Sequence, residues 1–306
     1  MPYSYRVHGL RLRSDLELPE LRVAPADDAA SPADVVVCLG PVPFELAQAS
    51  AAVEGFQIGA GEVLLDIAGV ARYLARGGDT LIIDPAPNAD PGAVRLFLQG
   101  SGLAAILHQR GDVPLHACAV DCGGHSMTFI GDSGAGKSTL VALLARRGFP
   151  IVADDVLVAR PDASGTIMTE PSVPVLKLWP ESLPHSDYAG SAAPFEIANL
   201  NKHRIDAQDK FVEARLPLTR LYVLRWLLPA SAAPEIVPLS PFEAMLALRP
   251  NVYRPRLAAA LGREAAFMGY AGRLLPRAGM FEFRRARALG RAEEQIDELI
   301  AHMRAG

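Results

Sequence analysis

The sequence predicts an α/β fold with a mixed sheet, preceded by a small β-rich N-terminal domain. Short alternating segments separated by glycine turns fill the first 86 residues, which is typical of a sheet built from hairpins. A strand, a glycine-rich turn and a helix follow one another between residues 125 and 147. The last predicted helix carries an apolar stripe at i, i+3, i+4 and i+7, from Ile296 to Met303.

Residues 1–86 are predicted to form the β-rich domain, and residues 87–306 a second domain. Strands are predicted at residues 34–39, 62–67, 72–76 and 80–83, where β-branched and aromatic residues are frequent. Gly77 and Gly78 predict a tight hairpin between the last two strands, because glycine reaches the positive φ values of such turns. Nothing in this segment gathers titratable side chains into a catalytic pattern.

Residues 87–306 are predicted to combine helices with strands. Asp90 can cap a helix whose first residue is Pro91 and which ends near Gly111. Ser240 and Glu243 have the spacing of a capping box, which predicts another helix start. The remaining elements are strands at residues 115–120, 125–130, 149–153, 221–228 and 280–283, and helices at residues 139–147 and 257–275.

The composition of the chain argues against several classes of protein function. The chain has 306 residues, half of them hydrophobic, and a net charge of −4, which argues against a general binder of nucleic acid or anionic membranes. Its longest apolar runs are too short to cross a bilayer, and residues 1–6 lack the apolar core of a signal peptide. We therefore expect a soluble cytoplasmic protein whose three cysteines are free thiols.

Two of those cysteines lie close in sequence to two histidines. His116, Cys118, Cys122 and His125 could be drawn as a zinc site. Their spacing is not that of a standard zinc motif, and the glycine pair at 123–124 predicts a hairpin turn between two strands. The sequence therefore favours ordinary strand residues here.

The glycine-rich turn matches the phosphate-binding pattern G-x-x-x-x-G-K-[S/T]. Between a strand and a helix, such a turn points backbone N–H groups and the helix dipole at one anion. Lys137 would hold the β- and γ-phosphates of ATP, and Ser138 would hold Mg²⁺. We call residues 131–138 the phosphate loop. The predicted ATP-binding residues are Gly131, Asp132, Ser133, Gly134, Ala135, Gly136, Lys137, Ser138 and Thr139.

Two adjacent carboxylates, Asp154 and Asp155, close the strand that follows the predicted phosphate-loop helix. One of them can hold Mg²⁺ beside Ser138, directly or through water. The other can accept the proton of an attacking hydroxyl. This pattern predicts a phosphoryl-transfer site.

Three segments of the chain resemble the catalytic domain of the HPr kinase/phosphorylase family. They are the strand at residues 115–120, the G-D-S-G-x-G-K-S loop within residues 129–138, and the R-G-x-x-x-x-A-D-D strand at residues 147–155. The resemblance implies the mixed-sheet P-loop core that HPr kinases share with phosphoenolpyruvate carboxykinases, and an ATP-dependent serine kinase.

The resemblance also implies roles for single residues. Asp154 resembles the catalytic base of that family, and Asp155 its metal-side carboxylate beside Ser138. His116 resembles the histidine near the base, and Lys137 the lysine on the phosphates. The implied catalytic set is therefore Asp154, His116 and Lys137, and the implied metal ligands are Ser138 and Asp155.

The expected acceptor is a serine of a peptide or protein other than HPr. The glycine-rich segment with which that family engages HPr has no counterpart here, and Ala117 stands where the family has glycine. The whole chain is more similar to HPr-kinase-like proteins of proteobacteria. These include lasso-peptide-cluster kinases, which phosphorylate a serine of a precursor peptide. No nucleic-acid or membrane partner is expected, and a homo-oligomer stays open.

Three other functions remain open at this point. The loop also fits ABC-type ATPases, although no L-S-G-G-Q appears and the acidic pair comes early. A kinase or carboxykinase of small metabolites has the same core. A non-catalytic, nucleotide-gated regulatory module is the third. One later segment holds the remaining lysines and can be interpreted in two ways. It could form a basic wall for the γ-phosphate or for an acidic substrate, or it could be a solvated loop; its residues are Lys177, Lys202, His203, Arg204 and Lys210.

Overall fold

The computed structural model describes residues 3–25, 31–187, 193–194, 202–229, 232–287 and 289–305. The chain divides into two compact units. The first unit comprises Met1–Pro114 together with Tyr253–Met268, and the second comprises Leu115–Phe195, Asn199–Val252 and Gly269–Gly306. Among the described residues, no helix combines the length and the apolar character needed to span a membrane.

The first unit is built on a sheet of eight strands in its described part, in the order β1-β2-β3-β8-β7-β6-β5-β4. Its strands are β1 (Tyr3–Val7), β2 (Leu10–Ser14), β3 (Val35–Leu39), β4 (Ala51–Val53), β5 (Phe56–Gly59), β6 (Glu62–Ile67), β7 (Ala71–Arg76) and β8 (Thr80–Pro85). Strand β3 runs parallel to β2 and β8, and the other pairs are antiparallel. The four predicted strands are present, and Gly77 and Gly78 turn the β7–β8 hairpin with positive φ. Strands β1, β2, β4 and β5 were not predicted.

The helical segment after Asp90 belongs to this first unit, although the sequence placed the boundary at residue 86. It consists of the helix Pro91–Phe97, a π-helical turn Leu98–Gly102 and the helix Leu103–Gln109. The predicted cap is confirmed, since the Asp90 carboxylate accepts from two backbone N–H groups of the first turn. The segment packs on the sheet: Tyr73 Oη donates to Val94 O at 2.9 Å, and Gln109 Nε2 donates to Ala75 O at 3.1 Å. These contacts explain why the first unit extends beyond residue 86.

A later segment of the chain also joins the first unit. The helix Pro255–Ala260 and the first turns of the helix Glu264–Leu274 lie in it. Arg254 donates to Ser101 Oγ at 2.7 Å, and Arg263 donates to Gln109 O at 3.0 Å. The single helix predicted at residues 257–275 is two helices, because Gly262 has a φ of 66° between them.

The second unit contains a mixed sheet of nine described strands and a separate three-stranded sheet, β15-β17-β16. Its strands are β9 (Leu115–His116), β10 (Cys118–Asp121), β11 (Ser126–Ile130), β12 (Ile151–Ala153), β13 (Val156–Pro161), β14 (Ile167–Glu170), β15 (Val175–Leu178), β16 (Ala193–Pro194), β17 (His203–Asp206), β18 (Leu216–Leu227), β19 (Glu235–Pro238) and β20 (Gly279–Ala286). The large sheet runs β12-β10-β11-β18-β14-β13-β9, with β20 also paired to β18 and β19 to β20. Strands β11, β18 and β20 are parallel to one another. The predicted α/β character with a mixed sheet is therefore present.

Two helices, Lys137–Arg146 and Ala292–Arg304, pack with strands of the large sheet in one apolar core cluster. The second unit also contains the helix Pro241–Leu248, with the predicted Ser240–Glu243 capping box, and the end of the helix Glu264–Leu274. The apolar side of Lys137–Arg146 packs with Phe129 and Tyr222 of the sheet. The predicted stripe from Ile296 to Met303 is buried in the same cluster. The helix begins at Lys137, shortly after the carboxyl end of β11, and this packing holds it against the sheet.

Candidate functional site

The phosphate loop leaves the carboxyl end of β11 and requires glycine at two points. Gly131 has a φ of 147°, and a Cβ there would lie 3.0 Å from Leu224 O. Gly136 has a φ of 80°, and a Cβ there would lie 2.7 Å from an Arg285 nitrogen. A side chain at either position would clash or strain the backbone. The local sequence therefore dictates a tight loop around the start of the next helix.

The helix after the loop presents its first turn without a side-chain cap. Gly136 occupies the cap position and has no side chain that could accept the first N–H groups. Lys137, the first helical residue, is only 6% exposed, and its Nζ donates to Gly131 O at 2.7 Å and to Asp132 O at 3.2 Å. Burial lowers the pKa of Lys137. A buried ammonium beside uncapped helix amides forms an environment suited to an anion.

Asp154 is bonded to the hydroxyl that the sequence assigned to the metal. Ser138 Oγ donates to Asp154 Oδ1 at 2.8 Å, and the Lys177 backbone N–H donates to Asp154 Oδ2 at 3.0 Å. The Cys118 thiol also donates to Asp154 Oδ1, at 2.8 Å. Burial raises the pKa of Cys118 well above its usual value, so the thiol stays protonated as a donor. Asp154 is thus held against the phosphate-loop helix from three directions.

Asp155 makes a different set of contacts. Its φ of 73° lies in the left-handed region, a strained conformation for a residue with a side chain. Lys177 Nζ lies 2.6 Å from Asp155 Oδ2, and His116 Nδ1 lies 3.2 Å from Oδ1. Burial alone would raise the pKa of Asp155, but the Lys177 charge and His116 outweigh it and hold that pKa well below its usual range. Asp155 is therefore a carboxylate at neutral pH.

A cavity of about 350 Å³ opens over the phosphate loop within the second unit. The loop and its helix supply Ser133, Gly134, Gly136, Lys137, Ser138 and Thr139 to its lining. His116, Asp155 and Lys177 line it as well, which brings residues from four separate segments to one site. The strand ends and the helix start converge there because the phosphate-loop helix lies across the sheet.

A second group of lining residues comes from the ends of β18 and β20. Trp226 and Arg285 are register partners on these strands, and the Arg285 guanidinium carbon lies 4.7 Å from the centre of the Trp226 ring. Arg285 is 5% exposed and donates to Ala135 O at 2.8 Å and to Gly136 O at 3.3 Å. Burial lowers the pKa of Arg285 to about 10, which leaves it charged at neutral pH. A cation–π pair therefore braces the phosphate loop.

The structure brings most of the sequence-predicted residues to this cavity. Thr139 contacts Ser182 through a 2.8 Å hydroxyl pair, whereas the Asp132 side chain is 82% exposed and lies 3.7 Å from Arg225. Of the predicted basic wall, Lys177 and Lys202 line the cavity. Its other members are not among the lining residues that the described chain supplies: His203, Arg204 and Lys210.

Several residues of the site were not predicted. Cys118 holds Asp154, and Asn251 accepts from the Gly131 N–H at 2.9 Å from a segment far along the chain. Trp226, Arg285 and Gln295 line the cavity. One signal could have indicated part of this set: the chain has two tryptophans, and both line the cavity.

The possible zinc cluster is not formed. Within the described residues, no group of three or more His, Cys, Asp and Glu side chains is arranged to hold a metal ion. Cys118 points to Asp154, while Cys122 donates to Met303 O at 3.9 Å. The glycine pair between the two strands has positive φ, as the predicted hairpin turn requires.

No protein-family model matches the chain, and no curated protein does either. Among solved structures, the chain is similar to the Hpr(Ser) kinase/phosphatase from Coxiella burnetii. The two share 12% sequence identity, with 63% of this chain and 96% of that chain covered and a TM-score of 0.33. A likeness this weak gives no support to a shared activity, so the function must be argued from the site itself.

Proposed function

We propose that the chain is an ATP- and Mg²⁺-dependent kinase that transfers the γ-phosphate to a serine hydroxyl of a peptide or protein. The observation that carries this proposal is that two adjacent acids make different contacts. Asp154 is bonded to the phosphate-loop hydroxyl, whereas Asp155 lines the cavity with His116 and Lys177. Phosphoryl transfer needs both an oxygen donor on the metal side and a group that orients the attacking nucleophile. The cavity beside Asp155 gives an acceptor hydroxyl room to enter.

The residues present fit a magnesium ion. Ser138 and Asp154 offer hard oxygen donors 2.8 Å apart beside the start of the phosphate-loop helix. Mg²⁺ in nucleotide sites commonly takes one or two protein oxygens and completes its shell with water and phosphate. When bound, the ion would neutralise charge that develops on the phosphates. We therefore assign Asp154 and Ser138 as the metal ligands. This pair replaces Ser138 and Asp155, which the family resemblance implied.

Asp155 takes the role of proton acceptor in this proposal. The serine oxygen attacks the γ-phosphorus, the bond from that phosphorus to the β,γ-bridging oxygen breaks, and ADP leaves with those electrons. The serine proton passes to an Asp155 carboxylate oxygen. A carboxylate with a low pKa suffices, because the hydroxyl proton becomes acidic only as its oxygen bonds to phosphorus. His116 and Lys177 keep Asp155 ionised and oriented.

Lys137 and the loop supply binding and positioning. The ammonium is already desolvated and bonded to two carbonyls of the loop, so an incoming phosphate replaces neutral partners with a charged one. Holding the triphosphate in line with the acceptor contributes most of the rate in this class of reaction. The narrowest form of the proposal, a lasso-peptide precursor as the acceptor, depends on the sequence resemblance alone.

The test distinguishes the roles of Asp154 and Asp155. Purified wild-type, Asp154→Asn and Asp155→Asn proteins are incubated with ATP, Mg²⁺ and serine-containing candidate peptides, and phosphopeptide is measured by mass spectrometry. We expect Asp155→Asn to lower transfer on the order of 10²- to 10⁴-fold with ATP affinity retained. Asp154→Asn should instead raise the Mg²⁺ concentration needed for half-maximal rate. Asp209→Asn, an exposed acid of the same unit, is the matched control.

Each other outcome identifies a competing function. Transfer that persists in Asp155→Asn contradicts the assignment of the base. Free phosphate without phosphopeptide would indicate an ATPase, and ATP binding without turnover would indicate a nucleotide-gated module. Phosphate on a small metabolite in place of a peptide would keep the kinase and change its acceptor.

A further inference from the structure

The two tryptophans of the chain stand at different parts of the same cavity. Trp179 lies just after β15, with the Lys202 ammonium 5.2 Å from its ring centre, and is 37% exposed. Trp226 lies near the end of β18 and is 38% exposed. An indole that is partly exposed in a cavity offers a flat apolar face to a ligand. The question is which part of the proposed substrates each ring would meet.

The strand order separates the two rings. The acids follow β12, which lies two strands from β11 on one side, across β10. Strands β18 and β20 lie on the other side of β11. A triphosphate on the phosphate loop, with its γ-phosphate directed to Asp155, would therefore extend its nucleoside towards β18 and β20. These strands are parallel to β11, and ligands of such sheets bind at the carboxyl ends.

The Trp226 ring is held in place before any ligand arrives. Arg285 donates hydrogen bonds to two carbonyl groups of the phosphate loop, and its guanidinium lies against the Trp226 indole. The Trp226 ring also lies beside the loop, since a Cβ on Gly136 would be 3.4 Å from a carbon of that ring. An immobilised aromatic ring loses little entropy when a ligand stacks on it.

Arg285 carries a polar group that the described protein leaves unbonded. The side chain is 5% exposed, yet its Nε is buried without a hydrogen-bond partner among the described residues. Gln295, 2% exposed, adds a carboxamide to the same lining, with its nitrogen donating to Ala286 O at 3.2 Å. Buried polar groups beside an apolar ring are what a nucleobase, with a flat face and a polar edge, can satisfy.

We propose that Trp226, backed by Arg285, is the platform on which the purine base of the nucleoside triphosphate stacks. This inference rests on the proposed function and adds the nucleoside subsite to it. A purine is the occupant because its two fused rings cover an indole face more fully than a pyrimidine does. Trp179 lies on the side of Asp155 and Lys177, where it would contact the phosphate acceptor.

The first experiment compares ligands with and without a base. Calorimetry in Mg²⁺ gives the Kd of ATP, CTP and inorganic tripolyphosphate for wild type, Trp226→Ala, Trp226→Phe and Trp179→Ala. We expect Trp226→Ala to weaken ATP binding on the order of 10- to 100-fold, the loss expected for one stacked base, with tripolyphosphate unchanged. Trp226→Phe should retain most of the affinity, since it keeps a flat ring. Trp179→Ala should leave the Kd of ATP unchanged.

The second experiment uses the low tryptophan content. In Trp179→Phe the only indole left is Trp226, and in Trp226→Phe it is Trp179. We expect ADP to change the fluorescence of Trp226 in the first variant and tripolyphosphate to leave it unchanged. A response of Trp179 alone to ADP would overturn the placement of the base.

The failures of this inference and of the proposed function are distinct. Equal affinity of wild type for ATP and tripolyphosphate would remove the nucleoside subsite while peptide phosphorylation stands. CTP binding as tight as that of ATP would overturn the choice of a purine. Tight ATP binding that depends on Trp226, without phosphate transfer to any acceptor, would support the subsite and contradict the kinase.

Discussion

Glu20 in the first unit and Lys137 in the second unit are both buried charged side chains, but their charges are compensated differently. In the first unit the buried Glu20 is matched by Arg95, with Nε at 2.8 Å, and by Gln99, whose amide donates at 2.9 Å. In the second unit the buried Lys137 is bonded to two backbone carbonyls. A buried ammonium compensated by neutral groups is costly for stability. Such an arrangement is expected where a ligand supplies the opposite charge.

The largest expected effect follows from this contrast. Lys137→Met keeps most of the side-chain volume and removes the charge, so we expect the affinity for tripolyphosphate to fall on the order of 10²- to 10³-fold. The free energy of unfolding should not fall, because the charge removed was desolvated. Calorimetry and urea unfolding measure the two quantities.

The matched variant in the first unit is Glu20→Gln. It should cost about 2 kcal/mol of unfolding free energy, less than a fully buried pair because the Arg95 side chain is 21% exposed. Its affinity for tripolyphosphate should stay that of wild type. If Lys137→Met is destabilised as much as Glu20→Gln and still binds, Lys137 is a structural residue and the contrast between the units fails.

A second prediction concerns pH and the contacts of Asp155. Its pKa is lower in the folded protein than in the unfolded chain, where an aspartate has a pKa of about 4. Below that pH the unfolded state binds the extra proton, so stability falls as the pH falls towards the folded-state pKa. This loss is at most about 1.4 kcal/mol per pH unit for one group.

Lys177→Met removes the ammonium that Asp155 contacts, while the backbone N–H that donates to Asp154 remains. The pKa of Asp155 should then rise, and the variant should lose less stability than wild type between pH 5 and pH 3. Urea midpoints across this range make the comparison. Parallel curves for the two proteins would show that Lys177 does not set the ionisation of Asp155.

Local patterns in the sequence predicted local structure. The glycine turn before the helix Lys137–Arg146, the Asp90 and Ser240 caps and the Ile296–Met303 stripe are each specified by residues within one or two turns, and each is present. The residues that complete the site are set by long-range pairing instead. Trp226 and Arg285 meet only because β18 and β20 are parallel neighbours in one register. No residue spacing in the sequence predicts the contact between Trp226 and Arg285.

The roles of the neighbouring residues Asp154 and Asp155 could not be predicted from the sequence either. The sequence predicted that one of them serves the metal and the other the proton, and the family resemblance implied Asp155 for the metal and Asp154 for the proton. The side-chain contacts are the reason why we propose the reverse assignment. Asp155 adopts a positive φ and its side chain contacts His116 and Lys177, while the Asp154 side chain accepts from Ser138. Sequence preference does not predict a left-handed aspartate, because the surrounding contacts stabilise it.

The smallest expected effect tests where the first unit ends. Tyr73 is 1% exposed, and its hydroxyl ties β7 to Val94 in the helix Pro91–Phe97, beyond the boundary that the sequence suggested. Tyr73→Phe removes this one donor without changing the shape of the ring, so we expect a loss of about 1 kcal/mol in unfolding free energy. Tyr3→Phe, 42% exposed on the same sheet, should cost nothing measurable. Neither variant should alter tripolyphosphate affinity, since both lie in the first unit. Equal urea midpoints for the two variants would mean that the Tyr73 hydroxyl contributes nothing, and residues 87–114 would then be held to the sheet by apolar packing and the Gln109 hydrogen bonds.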